Sequence, residues 1–281
     1  MNSSVLACPL CREPLEITGN VMRCANNHCF DQAKQGYWNL LAVQQKKSID
    51  PGDNPLMVNA RGQFLDLQYY RPLADKMSSM IADISRDLDR IDILDMGCGD
   101  GYYTEQWQAA LSTANPLKEI NFYGLDISKH AIKAATKRTK DMTWIVASGS
   151  KMPIKDNSLD ILSVVFSRLM PGPFAKALKT NASLILVWPT DQHLIELKQV
   201  MYNDIKTSSY EPALELEPLF ALENLQVLKF NFVLTAENQL STLLDMTPHG
   251  QRINNETKQS LLNRLPLELT FSVNIGQFSK R

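Results

Sequence analysis

Apolar positions change rhythm along this 281-residue chain. Residues 1–59 hold only short apolar stretches. Val21-Met22-Arg23 reads there as a short strand, and Tyr37-Trp38-Asn39-Leu40-Leu41 supplies aromatic and aliphatic bulk suited to packing against a larger body. From 60 to 89 the rhythm is helical, with Phe64, Leu67, Leu73, Met77, Met80, Ile81, Ile84 and Leu88 recurring at helical spacing. Pro72 splits that stretch into two helices, because a proline inside a helix removes a donor and clashes with the preceding turn. Strand and helix then alternate. Short apolar runs at 91–96, 121–125, 143–147, 160–166 and 184–188 predict strands that are covered on both faces. Helices are predicted at 103–112, from the Ser128 N-cap to about 140, and at 194–205. Closing strands fall at 230–234 and 267–273, with a helix at 257–265 between them. This alternation predicts an α/β domain with a mostly parallel, Rossmann-like sheet and helices on both faces.

The boundaries follow from composition. Pro51-Gly52-Asp53-Asn54-Pro55 is loop-like. The expected organisation is a small module over 1–45, a linker over 46–59 and a large domain over 60–281.

Two groups of residues carry candidate chemistry. The first is Leu94-Asp95-Met96-Gly97-Cys98-Gly99-Asp100-Gly101, between a predicted strand and a predicted helix. Glycines in such a turn let the backbone approach a ligand and adopt positive φ. The dinucleotide fingerprint is Gly-x-Gly-x-x-Gly; the spacing here is Gly97, Gly99, Gly101. Asp126 ends the next strand, where an acid can accept hydrogen bonds from both hydroxyls of a ribose. The second group is Cys8-x2-Cys11, then Cys24, then His28 or the adjoining Cys29. Two close ligand pairs suit tetrahedral zinc, and a segment this small and polar needs a staple to fold. Cys98 lies apart, as a small residue inside the glycine loop.

Charge and composition narrow the classes less. Hydrophobic residues make up 44% of the chain and the net charge is -1, so overall charge does not announce nucleic acid. Residues 1–49 hold five Lys or Arg against three acids, a net +2 that permits a phosphate-bearing partner. No apolar run reaches the length of a membrane span, and the N-terminus lacks the pattern of a secretory signal. Cysteines grouped as a metal site point to a reducing, cytoplasmic compartment.

The acid-x-Gly-x-Gly-x-Gly form resembles motif I of the class I S-adenosylmethionine methyltransferases. The likeness becomes specific in Cys8-Pro9-Leu10-Cys11 with Cys24 and His28, in Lys34-Gln35-Gly36-Tyr37-Trp38-Asn39-Leu40-Leu41 and in Asp50-Pro51-Gly52-Asp53. It continues in Phe64-Leu65-Asp66 with Tyr70, in the loop through Thr104, in Gly124-Leu125-Asp126, in His193-Leu194 with Glu196-Leu197-Lys198, and in Met246-Thr247-Pro248. Over nearly its whole length the chain resembles the 23S ribosomal RNA guanine-N1 methyltransferases. The resemblance implies methyl transfer from S-adenosylmethionine to a guanine N1 in a large-subunit ribosomal RNA hairpin, and a homodimer. It implies one structural zinc, held by Cys8, Cys11, Cys24 and His28, in a module that helps to recognise RNA. It also implies that Tyr70 and His193 join Asp95, Gly97, Gly99, Asp100, Gly101 and Asp126 around the cofactor, and that Ser148-Gly149-Ser150 meets adenine.

Two departures stand out. Phe166-Ser167-Arg168-Leu169-Met170-Pro171 replaces the family's Tyr-Ala-Pro stretch, where class I enzymes often face the target base. Lys179-Thr180-Asn181-Ala182 replaces a glycine-rich turn. Several carboxylates qualify as a general base for the guanine proton, and the sequence orders none of them. Two other readings compete: a methyltransferase of the same fold acting on a small molecule or protein, and a cofactor-binding RNA-associated protein that has lost activity.

Overall fold

The computed structural model describes residues 5–45, 48–114, 117–202, 210–247 and 253–281. The chain opens with three short antiparallel strands, β1 (Glu16–Thr18), β2 (Val21–Arg23) and β3 (Cys29–Asp31), followed by β4 (Trp38–Asn39). Two helices come next, α1 (Pro55–Asp66) and α2 (Arg71–Ile84). The alternating core follows as β5 (Arg90–Met96), α3 (Tyr102–Ala114), β6 (Glu119–Asp126), α4 (Lys129–Arg138), β7 (Thr143–Val146), β8 (Leu159–Val165), α5 (Pro171–Ala177) and β9 (Leu178–Pro189). After it come α6 (Ile195–Met201), α7 (Pro212–Leu216), β10 (Phe220–Leu234), α8 (Glu237–Asp245), α9 (Asn255–Leu262) and β11 (Leu267–Lys280).

Among the described residues the main sheet has eight strands, in the order β10-β11-β9-β8-β5-β6-β7-β4. β4 to β9 run parallel, and β11 is antiparallel to both of its neighbours. Strand order reverses between β5 and β8, and in open α/β sheets ligands bind at such a switch point, beyond the carboxyl ends of the strands. The glycine loop leaves β5 there.

The N-terminal module is joined to this sheet. β4 pairs with β7, Leu40 N donates to Val146 O (2.9 Å), and Leu6 bridges Ile154. Tyr37 and Trp38 are buried, as their bulk predicts, and they point into different cores. One core holds Tyr37 with residues of α1 to α4. The other holds Leu6, Leu15, Met22, Trp38 and Leu40 with Leu94, Leu125 and Ile145 of the sheet. Each large side chain so buried contributes roughly 1.5–3 kcal/mol.

Several element bounds differ from the sequence expectation. The expected linker is helical from Pro55: Asn54 caps α1 through its side chain, which accepts from Met57 N (3.0 Å), and Pro55 takes the first helical position, where its missing N–H costs nothing. The split at Pro72 is present, between α1 and α2. β9 and β10 each start earlier than expected, since the first half of β10 is too exposed to show an apolar run. α7 and α8 are not among the expected helices, although Leu240, Leu243 and Leu244 of α8 recur at helical spacing and are buried. Pro248 and the far end of the helix expected at 194–205 lie outside the described residues.

Candidate functional site

The ligand atoms of Cys8, Cys11, Cys24 and His28 lie within 4.8 Å of one another. Cys11 Sγ and Cys24 Sγ are 3.7 Å apart, and His28 Nδ1 is 3.5 Å from Cys8 Sγ and 3.4 Å from Cys24 Sγ. A tetrahedron with zinc–sulfur bonds of ~2.3 Å has edges of about 3.8 Å, slightly shorter where nitrogen is a ligand. The donor set and its spacing therefore fit zinc. Tight turns make the fit: Arg12 N donates to Cys8 O and Asn27 N to Cys24 O, both at 2.9 Å. The Glu13 backbone is the main influence that pulls the Cys11 thiol down to about 6, toward the thiolate a metal requires. Cys29, the competing ligand, is exposed, with its thiol turned to Asn27 O (3.4 Å).

The second site is a cavity of about 480 Å³ at the switch point, a size typical of small-molecule sites. Tyr70, Asp95, Gly97, Gly99, Asp100, Asp126 and His193 all line it. Gly101 does not. A Cβ there would stand 2.6 Å from the Trp144 ring and 2.9 Å from Ala135 Cβ, so Gly101 serves close packing of the loop on α4 behind the cavity. Ser148, Gly149 and Ser150 do not line it either, because Met96 and Met170 crowd Gly149.

The loop is pinned from below. Gly97 N and Cys98 N donate to Leu125 O (2.7 and 3.1 Å), and Gly99 N donates to Asp126 Oδ2 (3.0 Å). Ser128 N donates to the other oxygen of Asp126 (2.8 Å). Each carboxylate oxygen thus keeps accepting capacity, and burial raises the pKa of Asp126. The Asp100 carboxylate turns to Arg138, whose Nη2 is 2.5 Å away, and Arg138 also reaches Asp66 of α1 (2.9 Å).

Asp95 is buried and accepts from Thr104 Oγ1 (2.6 Å) and Ser163 Oγ (3.1 Å). Desolvation raises its carboxyl to about 6, against an ordinary 3.8. A folded-state pKa above the unfolded value stabilises the fold at low pH, and that contribution is lost as pH rises through about 6. Asparagine can accept from Thr104 and donate to the Ser163 hydroxyl without carrying charge. Asp95→Asn should therefore gain stability relative to the parent between pH 4 and 7.5, by roughly 3 kcal/mol at most. Parallel melts across that range test this, and a melting-point difference that does not change with pH refutes it.

Residues from distant segments complete the cavity, and several were not singled out as site residues by the sequence. Arg61 of α1 pairs with Asp53 and donates to Met246 O (3.3 Å). Phe166 and Ser167 wall the side facing β8, and Lys198 and Thr247 close another. His193 Nδ1 accepts from Ser272 N (3.3 Å), which in neutral imidazole places the proton on Nε2. The Tyr70 hydroxyl is buried with no hydrogen-bond partner among the described residues. Phe166 (φ 52) and Leu194 (φ 52) both adopt left-handed backbone at the cavity wall, a conformation that costs non-glycine residues energy and clusters at functional sites. A second cavity of about 540 Å³ shares Phe166, Ser167 and Pro189 with the first and adds Arg168, Trp188, Tyr210 and Glu215.

Comparison with known proteins agrees with both halves. Residues 6–49 match the zinc-ribbon family described as RlmA, N-terminal, and residues 93–185 match a methyltransferase domain family. The chain is 29% identical over 257 residues to YxjB of Bacillus subtilis (strain 168), named provisionally as a 23S rRNA (guanine-N(1)-)-methyltransferase, covering 87% of this chain and 86% of that protein. It is 30% identical over 193 residues to the 23S rRNA (guanine(748)-N(1))-methyltransferase of Streptomyces fradiae, covering 68% and 66%. A Micromonospora griseorubida protein, with a provisional name of the same kind, is 28% identical over 237 residues, covering 74% and 77%. A zinc ribbon fused to a glycine-loop methyltransferase fold, matched at full-domain scale by these relatives, places the chain in the 23S rRNA (guanine-N(1)-)-methyltransferase family.

Proposed function

We propose that this protein transfers the methyl group of S-adenosylmethionine to N1 of a guanine in a large-subunit ribosomal RNA hairpin. The observation that carries the reading is the pair of cavities meeting at Phe166 and Ser167, one floored by the glycine loop and Asp126, the other open beside it. A two-substrate transfer needs such an arrangement.

The residues fit the cofactor. Asp126 has accepting capacity left for two ribose hydroxyls, the Tyr70 hydroxyl awaits a partner, and the Gly97 to Gly99 backbone leaves room for close approach. When bound, S-adenosylmethionine supplies a sulfonium-activated methyl group. The chain's own task is alignment, which can supply much of the acceleration of an in-line displacement. Phe166 and Ser167 stand where the two substrates meet. Guanine N1 carries a proton near neutral pH, so the base must also be deprotonated, and an open cavity beside the first suits an extruded or unpaired nucleotide. Within the altered stretch, Phe166 and Ser167 line both cavities and Arg168 and Leu169 line the second, which favours a working enzyme over a relic.

Recognition of RNA with help from the zinc ribbon, a cytoplasmic location and a homodimer belong to the same proposal. The dimer has a candidate surface in β10, an open sheet edge that exposes Leu222, Leu225 and Val227. Among the described residues no helix is long and apolar enough to cross a membrane.

The test is transfer of tritiated methyl to unmodified 23S RNA, followed by primer-extension mapping, with light scattering on the same sample. One strong stop at a guanine and twice the chain mass are expected. Asp126→Ala should weaken cofactor binding by about 1–3 kcal/mol, the cost of lost hydrogen bonds to ribose. Label that enters protein or small molecules instead of RNA defeats the reading.

A further inference from the structure

The seam between the zinc ribbon and the methyltransferase body contains a groove of about 780 Å³, larger than the cofactor cavity and separate from it. Its two banks come from different parts of the chain. Pro9 and Arg12 belong to the ribbon; Lys151 and Lys155 follow β7, and Lys176 lies on α5. Arg12 is locked across the seam. Its Nη1 donates to Met152 O (2.7 Å), and its Nη2 donates to Ile154 O (2.6 Å) and to Asp156 (3.0 Å). The backbone is stitched beside it, with Ala7 N on Pro153 O and Lys155 N on Val5 O.

Four cations and one acid line the groove, a net +3 in a chain whose net charge is -1. Lys151, Lys155 and Lys176 form no ion pair among the described residues, so their charge is uncommitted. Gln45 also lines the groove, and its side-chain oxygen is buried without a hydrogen-bond partner among the described residues. An acceptor so placed suits the 2′-hydroxyl donor that distinguishes RNA. The groove also adjoins the catalytic region. Ser150 and Lys151 follow Gly149, on which Met170 packs, and Met170 ends the loop that begins at Phe166.

We propose that this seam groove holds the phosphodiester backbone of the RNA substrate, with Lys151, Lys155 and Lys176 of the body supplying the phosphate contacts and the ribbon forming the opposite bank. The proposal rests on the RNA methyltransferase reading and shifts most of the electrostatic grip from the ribbon to the body.

The test compares the full-length zinc-loaded parent with Lys151→Gln/Lys155→Gln/Lys176→Gln, using fluorescence anisotropy of a labelled 23S RNA hairpin across a salt series. Each phosphate contact contributes roughly 0.7–0.9 to the log–log salt slope, so the triple variant should lose about 2–3 from it and bind about tenfold or more weaker at low salt. Its S-adenosylmethionine affinity should match the parent's. An unchanged slope and affinity overturn the groove. The two readings fail separately. A parent that methylates 23S RNA alongside a triple variant that binds it equally well sinks the groove alone. A parent that binds the hairpin through these lysines yet transfers no methyl sinks the enzyme reading alone. Equal binding of a DNA hairpin of the same sequence removes the Gln45 contact.

Discussion

Replacing Cys24 by alanine should empty the zinc site and carry damage into the main sheet. Structural zinc contributes on the order of 10–16 kcal/mol to the folding of small metal modules, more than three short strands can supply without it. Cys24 and Cys8 sit in the same apolar cluster as Trp38, Leu40, Leu125 and Ile145. Loss of the ribbon therefore frees Leu40 from Val146 and uncovers the β7 edge, as well as releasing Arg12 from Met152 and Ile154. Elemental analysis should fall from one zinc per chain to none, the melting temperature should drop, and RNA methylation should collapse. Cofactor binding should survive in whatever remains folded, since none of the cavity residues belongs to the ribbon. A variant that keeps its zinc, or methylates RNA at the parent's rate without it, contradicts this. A chain cut near Ile49 would lose β4 and its pairing with β7, so it would not test the ribbon as a detachable module.

The other large effect is expected at Gly97. An added Cβ would lie 2.1 Å from Ser167 Oγ and 2.6 Å from Ser167 Cβ, on a backbone held at φ 76. Alanine pays about 1–2 kcal/mol for left-handed backbone before any clash is counted. The loop must retreat from Ser167, which strains the 2.7 Å bond from Gly97 N to Leu125 O. Calorimetry on Gly97→Ala should show cofactor affinity reduced by at least about tenfold, equivalent to roughly 1.4 kcal/mol. Adding Ser167→Gly removes the clash and leaves the φ penalty, so it should restore part of the loss. Parental affinity in the single variant, or no recovery in the double variant, would show that Ser167 does not bear on the loop.

What the sequence revealed follows from how local each signal is. Zinc ligands in two close pairs, Gly97 and Gly99 behind an acid and a strand-ending Asp126 are short-range patterns, and the structure brings each set together. The Asn54-Pro55 pair reads as loop because the same residues serve loops and helix starts; the capping bond from Met57 N decides between them. Gly101 looked like part of the cofactor turn because spacing cannot tell which side of a loop a glycine faces, and Trp144 and Ala135 stand on that side. Arg61, Ser167, Lys198 and Met246 meet only because α1, the loop after β8, α6 and the end of α8 converge on one cavity, and no local pattern encodes such a convergence. The seam groove was hidden for the same reason: its cations are spread from residue 12 to residue 176.

The segment from Phe166 to Met170 borders the cofactor cavity, the neighbouring cavity and, through Met170 on Gly149, the margin of the seam groove. It lies between β8 and α5, outside the sheet, tied by Phe166 N to Val187 O and by the start of α5 on Met170 O. A change within these five residues therefore reshapes the border of all three spaces without touching a metal ligand.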